Sequence, residues 1–202
     1  MNMPDDQNRS AASEPPSSRV WLYVLSGFAA FWILYLTFFG PKGGHGGLSA
    51  PRLQPPETAG KADSNWRPLD LEGKPTDFAS YRGRVVFLNI WATWCPPCVA
   101  ELPSVANLAS NPQLKDVAFV CVSIDEQTET VKRFLKDKSW PMTVLRADSL
   151  PKEFLTDGIP ATFILDGSGN IVVAEVGSSQ WDDPSTVDFL KKLAGNATKT
   201  PK

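Results

Sequence analysis

Two cysteines, Cys95 and Cys98, stand in the run Trp91-Ala92-Thr93-Trp94-Cys95-Pro96-Pro97-Cys98. Their spacing is close to one helical turn, and the run follows an apolar stretch that reads as a strand. A sulfur at a helix start faces unpaired backbone N–H groups and the positive end of the helix dipole, so its thiolate is favoured. A second sulfur one turn later can attack a mixed disulfide made by the first. Such a pair is a two-electron switch, and its chemistry is thiol–disulfide exchange.

Zinc sites use the same spacing, but a structural zinc needs about four ligands. Only Cys121 and His45 could join the pair. Cys121 falls in the middle of a predicted strand, where a small buried hydrophobe is expected, and His45 falls in a Gly-rich stretch. No metal site and no cofactor are expected, while transient copper binding by the pair stays open. His45 is the single histidine, which makes Cys–His or triad catalysis improbable.

The pair needs a strand and a helix to place it. Residues 85–90 form a continuous apolar run, as in a strand covered on both faces. A helix is predicted over 96–109, with Leu102, Val105, Ala106 and Ala109 on one face and Asn111-Pro112 at its end. Pro96 suits the first helical turn, where its missing N–H costs little. Further elements are a strand over 117–124, a helix over 128–138, a short strand over 142–145 and a short helix over 151–155. Strands over 162–165 and 171–176 flank the loop Asp166-Gly167-Ser168-Gly169-Asn170 as a hairpin. The last helix takes Asp183 as N-cap and Pro184 at its first position, with Gly195 past its end. Residues 69–75 read as an N-terminal β-hairpin. The sum is a mixed sheet with helices on both faces, an α/β sandwich.

The chain of 202 residues is longer than this domain. Residues 1–19 are polar and read as a disordered tail. Residues 20–39 carry no charge and as a helix would cover roughly 30 Å, enough for a bilayer. Trp21 and Tyr23 suit its interface. The run exceeds the usual core of a cleavable signal and ends on bulky Phe38-Phe39, so an uncleaved single-pass anchor is expected. Arg9 and Arg19 before the run balance Lys42 and Arg52 after it, so charge leaves the orientation open. Residues 40–63 read as a flexible Gly/Pro-rich linker, 64–196 as the folded domain and 197–202 as a C-terminal tail. With a formal charge of -2 and no basic stripe, no nucleic-acid partner is expected.

Trp94-Cys95-Pro96-Pro97-Cys98 after an apolar strand, with Gly158-Ile159-Pro160-Ala161-Thr162-Phe163 further on, resembles the thioredoxin superfamily. Within it the chain resembles the membrane-anchored branch of TlpA, ResA and the cytochrome c biogenesis reductases (CcmG/DsbE). Four features carry that likeness: the anchor, the N-terminal hairpin, Cys-Pro-Pro-Cys-Val-Ala-Glu over 95–101, and the helix–strand segment near 127–147. The resemblance implies a thioredoxin-like three-layer sandwich with a central mixed sheet, preceded by one transmembrane helix.

It also implies roles. Cys95 is the expected nucleophile, exposed at the helix start, and Cys98 the more buried resolving thiol. Pro97 removes a backbone donor that could have bonded the Cys95 thiolate, which favours a reductant. Thioredoxins carry an Asp where this chain has Asn89, which cannot titrate; Glu101, on the Cys98 face of the helix, is the expected proton acceptor. Pro160 resembles the superfamily's cis-proline, whose loop with Ile159 would face the Cys pair and an extended substrate segment. Trp94, Pro96 and Pro97 complete the expected substrate surface, with Trp91 beside it as shield or core.

The implied activity is a thiol:disulfide oxidoreductase reducing selected protein disulfides, such as those of apocytochrome c or a copper-site protein. Its electrons would come from a membrane donor of the DsbD/CcdA type. The implied place is a bacterial inner membrane, with the catalytic domain on the extracytoplasmic, periplasmic side. A copper-delivery factor using the Cys pair as ligands is an alternative. So is a peroxiredoxin-like peroxidase, which would want Thr where Ala92 stands.

Overall fold

The computed structural model describes residues 28, 30–32, 48–56 and 60–197. The chain divides into two units, residues 1–46 and 47–202. In the first unit, Phe28 and residues 30–32 are helical. The expected tail and nearly all of the expected anchor lie outside the described residues, as do 198–202. No described helix is long and apolar enough to cross a membrane.

The second unit is built on a five-stranded sheet of order β3-β2-β1-β4-β5. Its strands are β1 (Val86–Trp91), β2 (Ala118–Ser123), β3 (Thr143–Arg146), β4 (Ala161–Leu165) and β5 (Ile171–Val176). β1 runs parallel to β2, and β2 to β3, while β4 is antiparallel to both β1 and β5. The parallel half requires crossovers. Helix α1 (Pro96–Ala109) supplies the first and α2 (Thr128–Leu135) the second, and α3 (Pro184–Ala197) closes the chain.

Strand side chains alternate between faces, and the core divides accordingly. Phe87 and Trp91 of β1 share one cluster with Cys98, Leu102 and Val105 of α1, Val131 of α2 and Leu190 of α3. Val86, Leu88 and Ile90 point the other way, towards Phe78, Phe154 and Phe163. All three α-helices thus pack on one face. The expected α-helical layer on the second face is replaced by two 3-10 turns, Phe78–Tyr81 and Lys152–Phe154, with Trp66 packed beside them. Ring centroids at 5.2 Å for Trp66–Phe78 and 5.6 Å for Trp66–Phe154 show how aromatic area stands in for a helix there. Phe87, Trp91 and Trp181 are fully buried, and burying such a ring contributes roughly 2–3 kcal/mol.

Several expected elements are shorter or differently bounded. The N-terminal hairpin is reduced to a turn: Leu69 bridges Pro75 and also Arg146 of β3. Leu69 exchanges both its backbone bonds with Arg146, while Asp70 N–H donates to the Lys74 carbonyl and Thr76 N–H to that of Pro68 across the turn. α2 stops at Leu135, short of 138. Lys138 lies beyond it with its Nζ 4.0 Å from the Phe134 ring centroid. α3 runs through Gly195 to Ala197, so that glycine caps nothing. The folded unit also begins before 64. Pro51 is buried, Leu53 packs on the core, and the Ser49 carbonyl accepts from Gln180 N–H at 2.8 Å. Ala62 N–H donates to Gly169, and Ile171 N–H to Gly60.

Candidate active site

Cys95 is the N-cap of α1, and Pro96 and Pro97 occupy its first two positions. N-cap side chains accept from the second or third helical N–H. Pro97 has none to give, so only Cys98 N–H donates to Cys95 Sγ, at 3.2 Å. Cys95 and Cys98 form a disulfide with an S–S length of 2.07 Å and a Cα–Cα distance of 5.3 Å. Cys98 is fully buried and Cys95 is 5 % exposed. The expectation of an exposed Cys95 is corrected here: its sulfur is drawn onto the buried Cys98 and covered by the neighbouring loop.

That loop is the turn before β4. The Ile159–Pro160 peptide is cis, and the Ile159 carbonyl lies 3.7 Å from Cys95 Sγ. Pro160 is buried with its carbonyl accepting from Gly177 N–H at 2.8 Å. Around the disulfide, Pro96, Pro97 and Trp94 are exposed and Ile159 is half-buried. Trp94 is 64 % exposed. Trp91 instead belongs to the core, packed against Phe134 with ring centroids 5.3 Å apart.

Glu101 lies one turn below Cys98, wholly buried between α1 and the sheet. Its Oε1 accepts from Asn89 Nδ2 at 2.8 Å. Its Oε2 accepts from Ser179 N–H at 3.0 Å and from the Trp181 indole at 3.1 Å. Burial pushes the carboxyl up to about 7, against those three hydrogen bonds, which pull it down. The desolvation of the charged form outweighs the donors that stabilise it. Asn89, on β1, also donates to Thr162 Oγ1 of β4 at 2.9 Å, so one amide links the carboxylate to the strand that follows the cis-proline. Beside it in register on β2 stands Cys121, a free and fully buried thiol. Burial, reinforced by the negative charge of Glu101, raises that thiol far above its ordinary value, and keeps it inert.

The structure therefore brings Cys95, Cys98, Glu101, Ile159 and Pro160 together from α1 and the start of β4, and leaves Trp94, Pro96 and Pro97 on the surface around them. Sequence reasoning missed Ser179 and Trp181, which hold Glu101 from the loop after β5, and Ser104, whose Oγ accepts from Trp181 N–H at 3.0 Å. These contacts span 77 to 80 positions of chain, and no local pattern announces them. Among the described residues no group of three or more His, Cys, Asp or Glu side chains could hold a metal ion. His45 lies outside them.

A dithiol–disulfide pair capping the helix after the first strand of a mixed sheet, with a cis-proline loop against it, defines a thioredoxin-like redox protein. Residues 50–190 match the family model of Redoxin, and the chain belongs to that family. It is similar to the thiol-disulfide oxidoreductase ResA of Bacillus thuringiensis strain Al Hakam, at 30% identity over 174 residues, 85% of this chain and 92% of that one. The same-named protein of Bacillus thuringiensis subsp. konkukian is 32% identical over 136 residues, 66% of this chain and 78% of that one. Among solved structures it resembles a thiol:disulfide interchange protein of the thioredoxin family from Chlorobium tepidum. That likeness has a TM-score of 0.51 and 29% identity, and covers 64% of this chain and 99% of that one. The protein is a thiol-disulfide oxidoreductase of the ResA type, with Cys95 and Cys98 as its redox pair.

Proposed function

We propose that this protein is a membrane-tethered reductase of selected extracytoplasmic protein disulfides, of the kind needed for cytochrome c maturation or copper-site assembly. Residues 1–19 are its tail, 20–39 its single anchor in a bacterial inner membrane, and the domain faces the periplasm. A membrane donor of the DsbD/CcdA type supplies electrons. The observation that carries the reading is the buried Glu101 directly beneath the Cys95–Cys98 disulfide, with a carboxyl at about 7. A carboxyl near neutrality can both take and return a proton.

In the reduced protein the Cys95 thiolate attacks a substrate disulfide, and one substrate sulfur leaves as a thiolate that solvent protonates. Glu101 takes the proton of Cys98, whose thiolate then attacks Cys95 Sγ. The Cys95–Cys98 bond forms, the mixed disulfide breaks, and the second substrate sulfur leaves reduced. Trp94, Pro96 and Pro97 offer the substrate an apolar surface, while Ile159 and Pro160 present backbone to an extended segment beside the disulfide.

Trapping tests this reading. Cys98→Ser removes the resolving thiol, so mixed disulfides through Cys95 accumulate in membranes, and the captured proteins name the substrates. Capture of extracytoplasmic proteins with paired cysteines is the expected result. A Cys98→Ser protein that captures nothing, with Cys95 titratably free, would count against a reductase of protein disulfides.

A further inference from the structure

Outside the Cys–Glu cluster, a second buried carboxylate touches the redox loop. Asp125 follows β2 and is 3 % exposed. Its Oδ2 accepts from Thr93 N–H at 2.9 Å and from Ser123 Oγ at 2.7 Å. Its Oδ1 accepts from Thr93 Oγ1 at 2.6 Å. Thr93 is thus held twice by one carboxylate, by main chain and by side chain.

We propose that Asp125 is a positioning residue for the redox loop: by clamping Thr93 it fixes where Trp94 and Cys95 stand. Thr93 is the turn residue between Trp91, sealed in the core, and Trp94, out in solvent. The turn closes with Cys95 N–H on the Ala92 carbonyl at 3.3 Å. On its other side Ile124 N–H donates to the Trp91 carbonyl at 2.9 Å, so the end of β2 grips the loop at two successive points. Cys95 Sγ must meet Cys98 N–H on one side and the Ile159 carbonyl on the other, and both depend on where this turn ends.

The price of burying a carboxylate is high unless it is fully hydrogen-bonded. Asp125 meets that demand without a cation: among the described residues no ion pair includes its side chain. Arg146 is close by, but it donates to the Asp125 and Glu126 carbonyls, to Asp148 and to Thr128. It pins the backbone leading into α2 and leaves the Asp125 carboxylate to Thr93 and Ser123. An apolar side chain there would leave the Thr93 N–H and the buried Ser123 hydroxyl without their acceptor, and the charge-assisted double contact on Thr93 also sets geometry.

The test is the thiolate of Cys95 in the reduced protein, followed by its alkylation with iodoacetamide across pH, alongside the thermal midpoint. Loosening the turn weakens the alignment of Cys95 Sγ with Cys98 N–H and the helix start. Asp125→Ala therefore slows alkylation at neutral pH roughly tenfold, the scale of one hydrogen bond to a charge. Thr93→Val, which keeps the Asp125 charge and the Thr93 N–H, slows it about threefold, and Thr93→Ser restores the native rate. The proposal is overturned if Asp125→Ala speeds alkylation while Thr93→Val leaves it alone, because the carboxylate then acts by its charge. It is equally overturned if both change only the thermal midpoint. Should Asp125→Ala fail to fold, the Thr93→Val and Thr93→Ser pair decides by itself.

Discussion

Glu101 is a carboxyl taken out of water and given back only part of what it lost. Its three donors favour the charged form, yet burial prevails and holds it at about 7. The role we propose for it, proton acceptor for Cys98, needs that compromise, since a fully stabilised carboxylate would not take the proton and a fully neutral acid has no site free for it. Glu101→Gln keeps the shape and removes titration, so disulfide exchange at neutral pH slows by roughly a hundredfold; stopped-flow oxidation of the reduced protein reads this. Stability carries a second signature. The folded value of about 7 exceeds the ordinary 4.5, so between them the folded protein keeps a proton that the unfolded chain has lost. The linked stability is whole below 4.5 and is lost as pH rises through about 7. In urea unfolding of the oxidised proteins, the native chain loses about 3 kcal/mol relative to Glu101→Gln across that window. A constant difference would mean that Glu101 does not titrate there.

At the scale of elements, the helix start sets how strongly Cys95 holds charge. Cys98 N–H is the one donor left by Pro96 and Pro97. Pro97→Ala returns a second donor at the position from which N-cap side chains are served. The expected outcome is a Cys95 thiolate pKa lowered by about one unit and a reduction potential raised by up to about 30 mV, because the reduced form gains the bond. Ultraviolet titration of the thiolate and equilibration against glutathione measure the two. An unchanged titration would place the new N–H out of reach of Sγ. This helix was legible in the sequence to the residue: Pro at its first position, an apolar stripe and Asn111-Pro112 after it are all local signals. β1 was legible for the same reason, being apolar on both faces. α2 was read too long, because Lys138 continues the helical spacing while its side chain folds back onto Phe134. The hairpin over 69–75 was read as a pair of strands because alternation is visible and pairing is not. Asp125, Ser179 and Trp181 were missed altogether. Each meets its partner across the fold, where only the completed sheet brings it close.

On the scale of the whole molecule, the N-terminal boundary of the folded unit bears on the site. The stretch 40–63 is linker-like in composition, and Gly and Pro there conceal a segment that docks. Residues 48–56 run against the folded unit: Pro51 is buried and Leu53 packs on the core that holds α1. Their one backbone bond to the far loop, Ser49 carbonyl to Gln180 N–H, lands between Ser179 and Trp181, the two residues that hold Glu101 Oε2. Residues 48–56 therefore form a strap that touches the loop supporting Glu101. Leu53→Ala removes half-buried area and lowers stability by about 1–2 kcal/mol. Removing residues 48–53 goes further: Gln180 N–H loses its acceptor and exchanges with deuterium more than tenfold faster, while Ser179 and Trp181 N–H follow to a smaller degree. Exchange in Glu101→Gln supplies the control, since it disturbs the same loop from the other side. If the Gln180 amide stays as protected in the shortened chain as in the native one, the strap is mere covering and the Glu101 loop stands without it.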